Sequence, residues 1–316
     1  GELRYSYTSK RNEKGNSVNR AKKSNTDTIQ LRLFPTAEVN DHWKVKARLT
    51  ATDNMKTDTS GNLSLTYAFA EGDYNKFNVK FGKMPLNSNL DDGLILDSFF
   101  SGAQVNFGSK LKVMLEAGRW NLDNANRGIK RGLEKLPDNE DKAASYQGVE
   151  LNYSSGKLVR AGVGYRHFSS DVFKSAEQYN TTGVLEDTAD IWSVGGKYVF
   201  DKNVALSGGY AKNTKADKLD QSAIVQFNYK GTKDSDMGSW GATLAYRHVA
   251  ANSALAPTYF TDQVGSFTRY GSKGFELGVG YVPFKNVRTQ LQYFNGKELM
   301  TDNKVQTLYG RVSFFF

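Results

Sequence analysis

The chain contains no cysteine, which excludes a disulfide framework, a thiol nucleophile and a thiolate metal centre. Proline is sparse, with 5 residues in 316, so little interrupts long extended segments. No apolar run reaches the roughly 18 residues that a membrane-crossing helix needs. No window holds a 3.6-residue apolar repeat over several turns, so long amphipathic helices are not expected. Histidine is as scarce: His42, His167 and His248 are the three. None is paired with a serine and an orienting acid in a way that marks a hydrolytic triad. No cluster has metal-ligand spacing, and there is no phosphate-binding glycine loop. An enzyme is not expected, and no metal or cofactor is implied.

What is present is a strand-rich mixture, with 30 glycines, 13% aromatics and a net charge of +9. The stretch "HWKVKARLTA" from His42 to Ala51 shows the pattern. Trp43, Val45, Ala47, Leu49 and Ala51 form one set; Lys44, Lys46, Arg48 and Thr50 form the other. A strand puts such sets on opposite faces. Period-two segments of this kind recur at 2–9, 27–35, 42–52, 62–70, 76–84, 102–108, 111–120 and 144–154. They continue at 158–168, 190–200, 204–212, 221–230, 238–249, 273–282, 287–295 and 305–316. That makes sixteen, most about as long as a tilted strand that crosses a bilayer. Bases and aromatics fall on opposite faces, which argues against a single-stranded nucleic-acid groove.

The links alternate between short and long, as in an outer-membrane barrel with short periplasmic turns and long extracellular loops. Aromatics on the apolar face form two bands. Trp43, Phe69, Phe77, Phe107, Tyr153, Phe200, Tyr229, Trp240, Tyr281 and Phe316 mark the turn end. Tyr165, Trp192, Tyr210, Tyr246, Phe275 and Tyr293 mark the loop end. The opposite face carries Arg4, Arg32, Lys44, Lys46, Arg48, Lys80, Arg160, Arg166, Arg247 and Arg311, with fewer acids: Glu2, Glu116, Glu150 and Glu276. In a dry core each unpaired charge would be costly by several kcal/mol. A sixteen-stranded lumen is wide enough to stay wet. The fold expected is all-β: one transmembrane antiparallel barrel over residues 1–316. Inward glycines such as Gly195 and Gly209 are expected to give curvature and room.

Taken together, the sixteen-strand pattern, the ending "TLYGRVSFFF" and the segment "FGKMPLNSNLDDGLILDSFFSG" (81–102) resemble bacterial general porins over essentially the whole chain. The barrel style also resembles the OmpM type, in which a surface-layer-homology domain and a stalk precede the barrel. A chain that opens at Gly1 on a strand-like segment fits a mature form or a part of such a longer protein. The resemblance implies an outer-membrane location, a homotrimer, contact with outer-membrane lipids and lipopolysaccharide, and a role for Phe316 as signal to the barrel-assembly machinery. It also implies that the third loop, about 85–101, folds inward as a constriction.

An inward third loop would bring Asp91, Asp92 and Asp97 towards a basic wall of Arg32, Lys44, Lys46, Arg48, Lys80 and Lys83. Opposed charges across an aqueous gap set ion selectivity and slow apolar solutes. The excess of bases predicts a lean towards anions. Loop four (121–143) carries a helix pattern around 126–136. Basic loop one either bridges anionic headgroups or is simply solvated. The function expected is passive diffusion of small hydrophilic solutes and ions. An envelope-tethering barrel with minor conduction is one alternative. A substrate-specific channel is another; it would need an inward aromatic track, for which only Tyr146, Phe294, Tyr309 and Phe315 stand out.

Overall fold

The computed structural model describes residues 1–17, 20–59, 61–88, 90–137, 141–261 and 268–316. The alternation is realised as seventeen segments of one antiparallel sheet. They begin with β1 (Glu2–Asn12), β2 (Lys23–Leu33), β3 (Thr36–Glu38), β4 (Trp43–Asn54), β5 (Ser64–Tyr74) and β6 (Phe77–Asn87). Next come β7 (Asp97–Gly108), β8 (Leu111–Asn121), β9 (Ala143–Ser155), β10 (Leu158–Ser169), β11 (Thr188–Val199) and β12 (Val204–Asn213). The last are β13 (Gln221–Lys230), β14 (Trp240–Ala250), β15 (Gly271–Phe284), β16 (Val287–Glu298) and β17 (Lys304–Phe315).

β1 pairs with both β2 and β17, which closes the sheet into a barrel without free edges. β2 and β3 are one stave. Both pair with β4 in a single register, Leu33 against Leu49 and Thr36 against Lys46. Pro35 lies between them and has no N–H to give to the ladder, although its carbonyl accepts from Ala47 at 3.0 Å. The closed barrel therefore has sixteen staves.

Links at one end are short, as at 75–76, 109–110, 156–157 and 285–286. At the other end loops L1 to L8 span 13–22, 55–63, 88–96, 122–142, 170–187, 214–220, 251–270 and 299–303. L4 holds helix α1 (Arg127–Leu133), inside the expected 126–136, and L5 holds a short α2 (Val172–Ser175) that the pattern did not announce. L3 is shorter than the expected 85–101, because β6 runs on to Asn87 and β7 starts at Asp97.

The outer face is apolar and uncovered. Phe77, Phe107, Tyr153 and Tyr281 ring the turn end, and Trp192, Tyr210, Phe275 and Tyr293 the loop end, all exposed. So large an exposed apolar surface is stable only against lipid or another protein. In β4, Trp43 donates to the Tyr74 hydroxyl at 3.0 Å and stacks on Phe81. Phe69, however, is not in the outer band. A bulge between Leu65 and Tyr67 adds one residue to β5. One extra residue reverses the facing of all that follows. Leu65 stays outside while Tyr67 and Phe69 turn into the lumen, and Phe69 is only 8% exposed.

Candidate pore constriction

Pairing between β5 and β6 stops at Ala68–Lys83, whereas β6 and β7 stay paired up to Asn87–Asp97. The tip of this hairpin is thus free of the barrel wall and carries L3 inward. Its apolar residues explain where it goes. Leu90, Leu94, Ile95 and Leu96 are all buried. Leu94, Ile95 and Leu96 share one cluster with Phe100, Trp120, Tyr146 and Phe168. Each such burial contributes roughly 2 kcal/mol. Two inward glycines make the seat. A Cβ on Gly195 would overlap the Leu90 carbonyl oxygen, and one on Gly209 would lie 2.9 Å from the Asp91 Cα. Close backbone approach, beyond curvature and room, is the reason for glycine at these two positions.

The acids of L3 divide. Asp91 is fully buried and faces Arg166 on β10 at 3.5 Å; Arg166 also holds Glu150 at 2.9 Å. Asp92 is ion-paired with Arg160. These two acids clamp the loop to the β10 wall, so the expectation that they face the basic wall is corrected. Apolar L3 side chains dictate which way the loop leans, and the acids follow. Asp97 is exposed and accepts from Thr258 Oγ1 at 2.7 Å.

A second strap was not anticipated. Part of L7 lies against L3, with one isolated parallel bridge between Leu96 and Ala256. The Ala256 amide donates to Ile95 at 2.9 Å, the Thr258 amide to Gly93 at 3.0 Å and the Tyr259 hydroxyl to the Asp92 carbonyl at 3.1 Å. Beyond this, Phe260 stacks on Tyr309 of β17, with centroids 4.7 Å apart and planes 6° apart. The apolar run "ALAPTYF" in a loop was the available sign, as it was for L3.

L4 to L7 are tied by three buried asparagines. Asn126 caps α1 through Ile129 and donates to Ala251 and Ala254 of L7 at 2.6 and 2.8 Å. Asn213 bonds the Tyr179 hydroxyl and the Asn252 carbonyl, and Asn252 the carbonyls of Glu177 and Lys218. Asn126→Ala strands three backbone groups and should destabilise the loop bundle by about 2–3 kcal/mol. Limited proteolysis should then cut L4 and L7 faster while the barrel stays intact; unchanged cleavage would refute the linchpin role. On the rim, Asp217 accepts from the Thr182 and Thr181 amides, which hold its carboxyl below the ordinary aspartate range. This L5–L6 clasp is complete above that range and is lost as pH falls through the depressed value. Acid-dependent cleavage of L5, abolished as a pH effect by Asp217→Asn, is the check.

The cations expected to form a basic wall are placed as follows. Arg48 lies over Tyr67 and Phe99, at 5.4 and 4.9 Å from the ring centroids. It has no hydrogen bond or ion pair among the described residues. Arg32 is 3.8 Å from Glu2, which also pairs with Arg4. Arg4, Arg48 and Arg311 all act electrostatically on Arg32. Arg311 is bonded to Gln290 and lies over Phe260 at 4.6 Å. These arginines sit on neighbouring staves β17, β1, β2 and β4. Lys46 and Lys80 share Glu71, and Lys44 pairs with Glu38 nearer the turn end. Lys83 does not belong to the wall. It is an odd number of residues from Lys80 and lies opposite Ala68, on the outer face with Phe81. A Lys80→Gln variant should therefore shift the reversal potential in a salt gradient, and Lys83→Gln should leave it unchanged.

No family model matches the sequence, and neither does any curated protein. Solved structures do match. Two variants of the Rh. blastica porin align over 99% of both chains at 12% identity, with TM-scores of 0.57 and 0.58. A triple mutant of the Rhodopseudomonas blastica porin does so over 99% of both chains at 11% identity, with a TM-score of 0.55. At this identity the likeness concerns the fold, and the chain has the sixteen-stranded barrel architecture that these porins share.

Proposed function

We propose that the protein is an outer-membrane porin, a water-filled channel for passive diffusion of small hydrophilic solutes and ions. The observation that carries this reading is the partition of the barrel: an uncovered apolar exterior, and a lumen that holds the L3–L7 strap and an arginine wall. The loops then face the outside of the cell and the turns the periplasm. Small outward residues Ala47, Ala68 and Ala70 on β4 and β5 offer a flat surface to a neighbouring copy, which supports a homotrimer. Outer-membrane lipids and lipopolysaccharide would cover the rest. The outward Phe314 and Phe316 at the turn end are what an assembly machine would grip. The OmpM-type reading is the finer one and rests on sequence resemblance.

Purified protein in a planar bilayer should give stepwise conductance in potassium chloride, with three coupled steps per insertion. Excess lumen cations should make the channel lean towards anions, less so at high salt because screening acts over about 8–10 Å. Absence of steps would refute the channel and favour a tethering barrel. A second reading, a substrate-specific channel, is favoured by the inward aromatics Tyr67, Phe69 and Phe260.

A further inference from the structure

We propose that the arginine wall and the aromatic rings beside it form a binding track for flat aromatic anions, of which benzoate is the simplest probe. The inference rests on the lumen reading above and names the solute class that this lumen favours.

Two features of the wall carry it. The first is charge. Arg4, Arg32, Arg48 and Arg311 lie on the four neighbouring staves β1, β2, β4 and β17. Glu2 is the carboxylate that pairs with them, to Arg4 directly and to Arg32 at 3.8 Å. Arg48 has no hydrogen bond or ion pair among the described residues, and its Nε is buried without a partner. A cluster of guanidiniums short of carboxylates binds anions, and the fork of Arg48, unlike that of Arg4 on Glu2, is not taken by any described residue.

The second is the arrangement of rings. Arg48 is held against Tyr67 and Phe99, and Tyr67 in turn touches Phe69. Arg311 lies over Phe260, which stacks on Tyr309. Held this way, the guanidiniums lose less freedom on meeting an anion. Phe260 is 43% exposed. It is carried by L7, whose pairing to L3 fixes its place. The exposed part of the Phe260 ring, beside the Arg311 guanidinium whose Nη1 is left over from the bonds to Gln290, offers both contacts that an aromatic carboxylate needs: a ring to stack on and an N–H for its oxygens. Acetate gains only the second contact. Cyclohexanecarboxylate gains the charge and bulk without the flat π-face.

The test uses the intact protein and these three anions. In planar bilayers, benzoate is expected to block chloride current at concentrations about threefold to tenfold below those needed with acetate or cyclohexanecarboxylate. Phe260→Leu, which keeps the bulk, should erase that difference, and Phe260→Tyr should retain it. Arg311→Gln should weaken the effects of benzoate and acetate alike. Saturation-transfer NMR on detergent-solubilised protein reads benzoate binding without requiring conduction. Equal block by the three anions, or a benzoate preference that survives Phe260→Leu, would overturn the track while leaving the porin reading intact. Phe260-dependent benzoate binding by a protein that passes no current would overturn the porin reading and leave the track standing.

Discussion

The double variant Arg48→Glu with Arg311→Glu is expected to reverse the sign of the channel's ion preference. Each substitution changes the wall by two charges, and the wall has little charge to spare: Glu2 already offsets part of Arg4 and Arg32. The barrel should survive. Arg48 has no ion pair among the described residues to leave behind, and Arg311 is tied to the neutral Gln290. Reversing Lys46 should do less, because Lys46 is already neutralised by Glu71 and its loss leaves that acid with Lys80. The reversal potential in a potassium chloride gradient reads the result directly. A folded, conducting variant that keeps its anion preference would remove these arginines from the conduction path.

Arg166→Met should have the largest structural effect. The guanidinium is buried between Asp91 and Glu150, whose side chains are almost wholly shielded from solvent. Removing one partner of a buried pair typically costs about 3–5 kcal/mol. The two stranded acids differ in what they can do. Glu150 is fixed in β9, while Asp91 rides on L3 and can escape to water by lifting the loop from its glycine seat. The expected outcome is a closed barrel with higher and noisier single-channel conductance and new protease cleavage within 88–96. Adding Asp91→Asn should restore part of the wild-type conductance, since one stranded charge is gone. Unchanged conductance in Arg166→Met would show that L3 is held by its apolar contacts alone.

Much of the barrel was legible because a strand's period is two and its outer face is apolar. Trp43, Val45 and Leu49 could be set against Lys44, Lys46 and Arg48 by counting. Counting failed where a single residue intervened. The extra residue in β5 turned Phe69 inward, and nothing in "NLSLTYAFA" marks a bulge. Lys83 was a failure of another kind, since its odd spacing from Lys80 already assigned it to the outer face. The site was less legible than the wall. Asp91 and Asp92 read as pore acids because loop residues have no period to orient them; their direction was decided by Leu94, Ile95 and Leu96 seeking Trp120 and Tyr146. For L7 the apolar run "ALAPTYF" signals that the loop seeks cover, but not that it finds it on L3, because the backbone bonds of this pairing carry no sequence signature.

That pairing joins parts of the chain far apart in sequence: Thr258 and Asp97 are 161 residues apart. A narrowing built from both cannot exist until β14 has joined the sheet, whichever stave forms first. Contacts that span so much chain are slow to form. During assembly the barrel is thus a wide tube, and it acquires its filter near the end. A refolding reaction stopped early should hold membrane-inserted barrels that leak larger solutes than the finished protein admits.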